Sequence, residues 1–153
     1  MNYIDSNLLT GENVVYRAKL HWIVFLWPVI WLIIAIVLFS SGEGAVGVGV
    51  IAFILFIATG IASLISYLTS EFGVTTKRVV VKIGFIRRSS LEVMLSKVEG
   101  IQVHQGILGR ILGFGTVRVS GTGGSHDPFH KISAPLKLRR AAQEQIVIVQ
   151  DGK

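Results

Sequence analysis

Residues 22–41 read WIVFLWPVIWLIIAIVLFSS, and residues 44–70 read GAVGVGVIAFILFIATGIASLISYLTS. Neither stretch contains Asp, Glu, Lys or Arg, and Glu43 is the only charge between Lys19 and Glu71. A helix needs about 20 predominantly apolar residues to cross the hydrocarbon core of a bilayer. The first run has 20 residues and the second 27, with residues 42–45 turning the chain between them. A helix pair buried in a soluble bundle would show polar residues at helical spacing on its wet face. No strongly polar residue interrupts Ile23–Phe39 or Ile51–Ile61. The sequence therefore predicts a transmembrane α-helical hairpin spanning 22–68, with helices at about 22–41 and 45–68. A cleavable signal peptide fits less well: the first 16 residues hold Asp5 and Glu12 but no Lys or Arg, and a second apolar run follows at once.

Working outward from the hairpin resolves a conflict in the composition. The 153 residues are 51% hydrophobic and only 16% charged, with a mean hydropathy of +0.63, yet the net charge is +6. Residues 1–21 are neutral, Glu43 subtracts one, and residues 69–153 carry 13 Lys+Arg against 6 Asp+Glu, a net +7. The apolar excess belongs to the hairpin and the basic excess to the C-terminal 85 residues. Disorder is excluded because disordered chains are poor in apolar residues. The absence of cysteine excludes a disulfide scaffold, thiol nucleophiles and thiolate metal sites.

The charges also suggest an orientation. Arg17 and Lys19 precede the first span, Lys77, Arg78 and Lys82 follow the second, and the connecting turn has no cation. The positive-inside rule places residues 1–21 and 69–153 in the cytoplasm, which makes this a multi-pass protein of the cytoplasmic (inner) membrane with both termini cytoplasmic. His21, Trp22, Trp27 and Tyr67 suit an interfacial aromatic belt. Small residues at four-residue spacing, Ala58 with Ala62 and Thr59 with Ser63, suit either packing within the hairpin or homo-oligomerisation. No ionisable group lies inside either span, whereas ion pathways and proton relays need them. The hairpin reads as an anchor, and an accessory subunit of a transporter or channel ranks third among the functions considered.

The basic remainder is patterned as short strands. Val79, Val81 and Ile83 alternate with Arg78, Val80 and Lys82, the pattern of a half-buried strand. Arg87–Met94, Gly100–Gln105, Thr116–Ser120 and Phe129–Ile132 are further strand candidates, with Val117 and Val119 facing in. Ile107, Leu108, Ile111 and Leu112 have helical spacing between Gly106 and Gly113, and Gly121–Ser125 forms a loop. Pro135 opens a helix, as proline does at a first helical position. Leu138, Ala141, Ala142, Gln145, Ile146 and Val149 then form an amphipathic stripe. Lys137, Arg139 and Arg140 crowd the start of that helix, where cations oppose the helix dipole. An anionic partner or plain solubility would account for them. The expected fold is a membrane α-helical hairpin followed by an α+β domain at 69–153: a small antiparallel β-barrel or bent sheet capped by a C-terminal helix.

Several segments in order, Leu9-x-Gly11-Glu12, Arg17-x-Lys19-x-His21-Trp22, Val74-Thr75-Thr76-Lys77-Arg78-Val79, Lys82-Ile83-Gly84-Phe85-Ile86 and Leu112-Gly113-Phe114-Gly115-Thr116-Val117, resemble the bacterial pleckstrin-homology-like (PH-like) membrane proteins. The resemblance covers nearly the whole chain. It implies a PH-like barrel with a closing C-terminal helix, and it implies no catalytic residues. It supplies no phosphoinositide site: PH domains that bind those lipids use a basic loop between their first two strands, and here that loop is taken to be Thr75–Arg78, with two cations.

Catalytic chemistry finds little purchase. His126, Asp127 and His130 lie in a glycine-rich loop without a further ligand nearby, which reads as a solvated loop rather than a zinc site. His104 is placed on a strand surface. Gly121-x-Gly123-Gly124-Ser125 lacks the Gly-Lys-Ser/Thr ending of a phosphate loop, and Gly113-x-Gly115 leads into a strand, unlike a dinucleotide fingerprint. No enzyme, cofactor or metal is expected. Nucleic acid is not expected either, since the cations are dispersed without interleaved aromatics. Two functions remain in front: a membrane-anchored module that binds a protein partner or assembles with itself, through a sheet edge or the groove beside the C-terminal helix, and an anionic-lipid sensor. The candidate contacts for either are Lys77, Arg78, Arg87, Arg88, Lys137, Arg139 and Arg140. Each Lys or Arg held near an anionic leaflet contributes about 1 kcal/mol.

Overall fold

The computed structural model describes residues 3–84, 89–122, 124–125 and 128–151. The chain runs α1 (Tyr3–Ser6), β1 (Val14–Lys19), α2 (Leu26–Ser40), α3 (Val46–Thr69), β2 (Glu71–Thr75), β3 (Arg78–Ile83), β4 (Ser89–Met94), β5 (Val98–His104), α4 (Ile107–Leu112), β6 (Phe114–Gly121), β7 (Gly124–Ser125), β8 (Phe129–Ser133) and α5 (Pro135–Asp151). It forms two compact units, one from residues 22–68 and the other from residues 1–21 together with 69–153.

In the helical unit a 3₁₀ turn at Trp22–Phe25 leads into α2, and a second at Glu43–Ala45 leads into α3. Pro28 is the third residue of α2, inside the first turn, where its missing N–H leaves no ladder bond unmade. Where the helices meet, small residues let the backbones approach: Ala35 and Ala52 are buried, and Gly60 lies against Pro28. The Ser63 hydroxyl donates to the Val24 carbonyl at 3.1 Å, and the Phe25 and Tyr67 rings lie 5.5 Å apart. Thr59 and Ser63 are half-buried, while Ala58 and Ala62 are exposed. Ile33, Ile36, Val37, Val48, Ile51 and Ile54 are each more than half exposed. A soluble core helix hides such side chains, whereas these two helices are long and apolar enough to cross a membrane and keep their apolar surface outermost.

The second unit is α+β. One antiparallel sheet has the order β1-β2-β3-β4; the other has β5 beside β6, and β6 also pairs with β7 and β8. A bridge between Leu20 and Ile132 joins the end of β1 to β8. The inner faces supply Phe72, Val74, Val79, Val81, Val117, Val119 and Ile132, and α5 closes over them with Leu138 and Ala142. The Phe72 and Phe129 rings meet edge to face with centroids 6.3 Å apart. Each large apolar side chain so buried is worth about 1.5–3 kcal/mol, which outweighs the unfavourable cations at the start of α5.

Two features depart from the sequence-based expectation. Residues 1–21, expected as a separate cytoplasmic segment, supply α1 and the edge strand β1, whose register against β2 pairs Ala18 with Phe72 and Lys19 with Glu71. Secondly, β3 is not half-buried: Arg78 and Val80 are as hidden as Val79 and Val81. The N-terminal segment covers that second face. Ile4 is buried with its Cδ1 close over Gly73, its amide donates to Glu71 Oε2 at 3.2 Å, and Lys82 Nζ lies 4.4 Å from the centre of the Tyr3 ring. Gly73 sits where a Cβ would collide with that isoleucine.

Candidate functional site

Of the seven cations singled out from the sequence, the five described ones are divided between the β2–β3 corner (Lys77, Arg78) and α5 (Lys137, Arg139, Arg140). Lys77 lies in the turn between β2 and β3 and Arg78 opens β3; the Thr75 hydroxyl organises this corner by accepting from the Lys77 and Arg78 amides at 3.2 and 3.0 Å. Lys77 is exposed, and its Nζ donates to the Thr10 carbonyl at 2.6 Å. Arg78 is not a surface contact. Its Nε and Nη2 donate to Glu12 at 2.9 and 3.1 Å, its Nη1 pairs with Glu92, and its Nη2 also bonds the Asn7 carbonyl. Only 7% of Arg78 and 5% of Glu12 are exposed, so the pair fastens the N-terminal segment to the sheet and cannot reach an outside anion. Burial pushes the Glu12 carboxyl up, but hydrogen bonds from the Thr75 hydroxyl, the Leu9 amide and Arg78 outweigh it and hold the group below its ordinary value. Arg87 and Arg88 lie outside the described residues, as do His126 and Asp127. On α5, Lys137 and Arg140 are exposed and Arg139 is half-buried; Arg140 pairs with Glu144 one turn on at 3.0 Å.

β2 also sets how far the β2–β3 corner lies from the start of the sheet. The chain leaves α3 at Thr69 and enters β2 at Glu71, and β2 carries it five residues onward to Thr75. At about 3.3 Å per residue this corner lies ~16 Å along β2 from Glu71.

A constellation that the sequence did not single out is assembled on the outer face of the second sheet. Gln102, His104, Thr116, Arg118, Pro128 and His130 line a groove of about 400 Å³. Pairing places Gln102 opposite Arg118 and His104 opposite Thr116, while β8 brings His130 to the other side of β6. The His130 Nδ1 lies 3.0 Å from the Thr116 hydroxyl. Two imidazoles, a guanidinium, an amide and a hydroxyl thus share one open face, able to exchange hydrogen bonds with an extended or anionic partner. The only sequence signal was the outward phase of β6; the gap between His104 and His130 is bridged by strand pairing alone. Among the described residues no group of three His, Asp or Glu side chains is placed to hold a metal ion.

Two four-stranded antiparallel layers closed by a C-terminal helix over the open side are the architecture of a PH-like barrel. Residues 20–146 match the family model described as the bacterial PH domain. The chain belongs to the bacterial PH domain family. No curated protein and no solved structure is similar enough to match it. The family is not known as catalytic. Within this bacterial PH domain the helical hairpin occupies the connection between β1 and β2, so the Thr75–Arg78 turn joins the second and third strands instead of the first and second.

Proposed function

We propose that this protein is a membrane-anchored, non-enzymatic PH-like module that binds a protein partner, or a second copy of itself, at the cytoplasmic face of the membrane. The hairpin serves as the anchor, with residues 1–21 and 69–153 on the cytoplasmic side. The observation that carries the reading is the groove over β5, β6 and β8, beside a β5 strand that pairs only with β6 among the described residues. An edge strand offers unpaired backbone donors and acceptors to an extended segment, and a neighbouring groove adds side-chain selectivity. Arg118, exposed at the groove, gives the partner segment an anionic preference.

The test is site-specific photo-crosslinking in native membranes from position Gln102, with Gln143 on α5 as the reference. A discrete adduct from Gln102 that disappears in Arg118→Glu supports the module. Recovery of uncrosslinked monomer from both positions sinks it. The second function, anionic-lipid binding, is supported by exposed Lys77, Lys137 and Arg140. It predicts that replacing these three with glutamine abolishes a preference for phosphatidylglycerol in lipids co-purified with the full chain.

A further inference from the structure

Among the described residues of the α+β unit, the most exposed large apolar side chains are gathered on α4. In α4, Ile107 is 82%, Leu108 68% and Ile111 74% exposed, and Leu112 is also open to solvent. Helical spacing would let such a stripe pack inward, but the fold turns it out. Gly109 is the buried residue instead, and a Cβ there would stand 2.6 Å from the Phe114 carbonyl, so α4 backs onto β6 through its glycine. The outward pose is fixed by several bonds. Gly113 takes the left-handed conformation and its amide donates to the Gly109 carbonyl at 2.9 Å. The Gln105 side-chain amide donates to the Gly109 and Phe114 carbonyls at 3.3 and 2.9 Å, and the Ala134 amide donates to Gly113 at 2.8 Å.

The last residue of the N-terminal segment lies at the same end of the α+β unit. His21, the last residue before Trp22, donates its amide to the Lys131 carbonyl at 2.7 Å, and its ring lies 5.2 Å from that of Phe114, the first residue after α4 and its cap. His21 is thus buried in the domain rather than part of an interfacial belt. Two cations flank the apolar turn in sequence and fold: Arg110 within α4, and Lys137 three residues after the Ala134 that bonds Gly113. Leu136, 55% exposed, extends the apolar surface.

We propose that α4 is a lipid-facing foot of the domain: Ile107, Leu108 and Ile111 enter the headgroup–acyl boundary of the bilayer, and Arg110 and Lys137 meet lipid phosphates. An apolar turn flanked by cations matches the chemistry of an anionic membrane surface, where amphipathic elements bury their apolar face about 5–10 Å deep. A protein surface would have to supply both an apolar pocket and anions at the same place. The inference rests on the hairpin crossing that membrane. It fixes the domain by a third point, in addition to the two chain connections, and so leaves the β5 groove in a defined pose for its partner.

The absence of native cysteine makes the test clean. Full-length Ile111→Cys, Ile54→Cys and Gln143→Cys variants, each carrying a nitrobenzoxadiazole label, are placed singly in nanodiscs of phosphatidylcholine and phosphatidylglycerol. The label at Ile111 is expected to be quenched by lipids spin-labelled near the headgroup and shielded from iodide. The label at Ile54, mid-α3, should be quenched by deep spin labels, and the label at Gln143 by iodide alone. Quenching of the Ile54 label with an iodide-accessible Ile111 label overturns the foot and leaves the anchor standing. No lipid quenching at Ile54 overturns the anchor itself. An Ile111 label shielded from both quenchers overturns the foot in favour of cover by protein, a second copy included. In a Leu108→Cys label combined with Ile111→Asp, lipid quenching should be lost; its persistence would mean that the label partitions unaided, and overturns the proposal.

Discussion

Replacing Arg78 by methionine keeps most of the side-chain volume and deletes one charge of a buried pair. The Glu12 side chain, 0% exposed, would keep the Thr75 hydroxyl and the Leu9 amide, both at 2.6 Å, and lose the two Arg78 contacts at 2.9 and 3.1 Å. Glu92, with 36% of its side chain exposed, can turn to water. Removing one partner of a buried ion pair costs about 3–5 kcal/mol, because the other charge is left uncompensated. The two hydrogen bonds that survive place the expected loss at the lower end, about 3 kcal/mol. The assay is pulse proteolysis of the full chain across a urea series in detergent. Arg17→Met is the control: the Arg17–Asp5 pair is 36% and 48% exposed, and its loss should cost under about 1 kcal/mol. An Arg78→Met cost as small as the control's would refute the argument that the pair is sealed from water. The pH dependence gives a second check. Glu12 has a folded pKa below its ordinary 4.5, so the unfolded chain binds the proton more readily. Its contribution is complete above 4.5 and is lost as pH falls through the lower folded value. Glu12→Gln should remove this part of the acid-limb slope.

Residues 69–153 expressed alone lack β1 and the Glu12 partner of Arg78, so they should fail to give the proteolytic protection of the full chain, and co-expression of residues 1–21 should restore part of it. Gly115→Ala should cost about 1–3 kcal/mol by overpacking, because its Cβ would stand 2.8 Å from the His104 carbonyl and 3.0 Å from Pro135 Cγ. Gly100→Ala, with nothing within 4 Å, should stay within about 0.5 kcal/mol in the same urea series. Protease added outside intact cells should spare residues 69–153; cleavage there reverses the proposed orientation.

The elements legible in the sequence are those whose signal is local. Two uninterrupted apolar runs specify α2 and α3 because no other placement hides that much hydrocarbon. The stripe from Leu138 to Val149 specifies α5, and Val117 and Val119 are inside as their alternation requires. The family resemblance, carried by motifs spread along the chain, holds over residues 20–146. Everything that depended on pairing across the hairpin was hidden. Glu12 and Arg78 are 66 residues apart, and only the β1–β2–β3 register makes them neighbours. A strand's alternation predicts which residues share a face but not what covers that face, so Arg78 looked solvent-facing until residues 3–12 were laid over it. The same limit applies to α4, whose spacing announced a helix but not the side it would show. Local chemistry decides which elements form; long-range pairing decides which of their faces stay exposed.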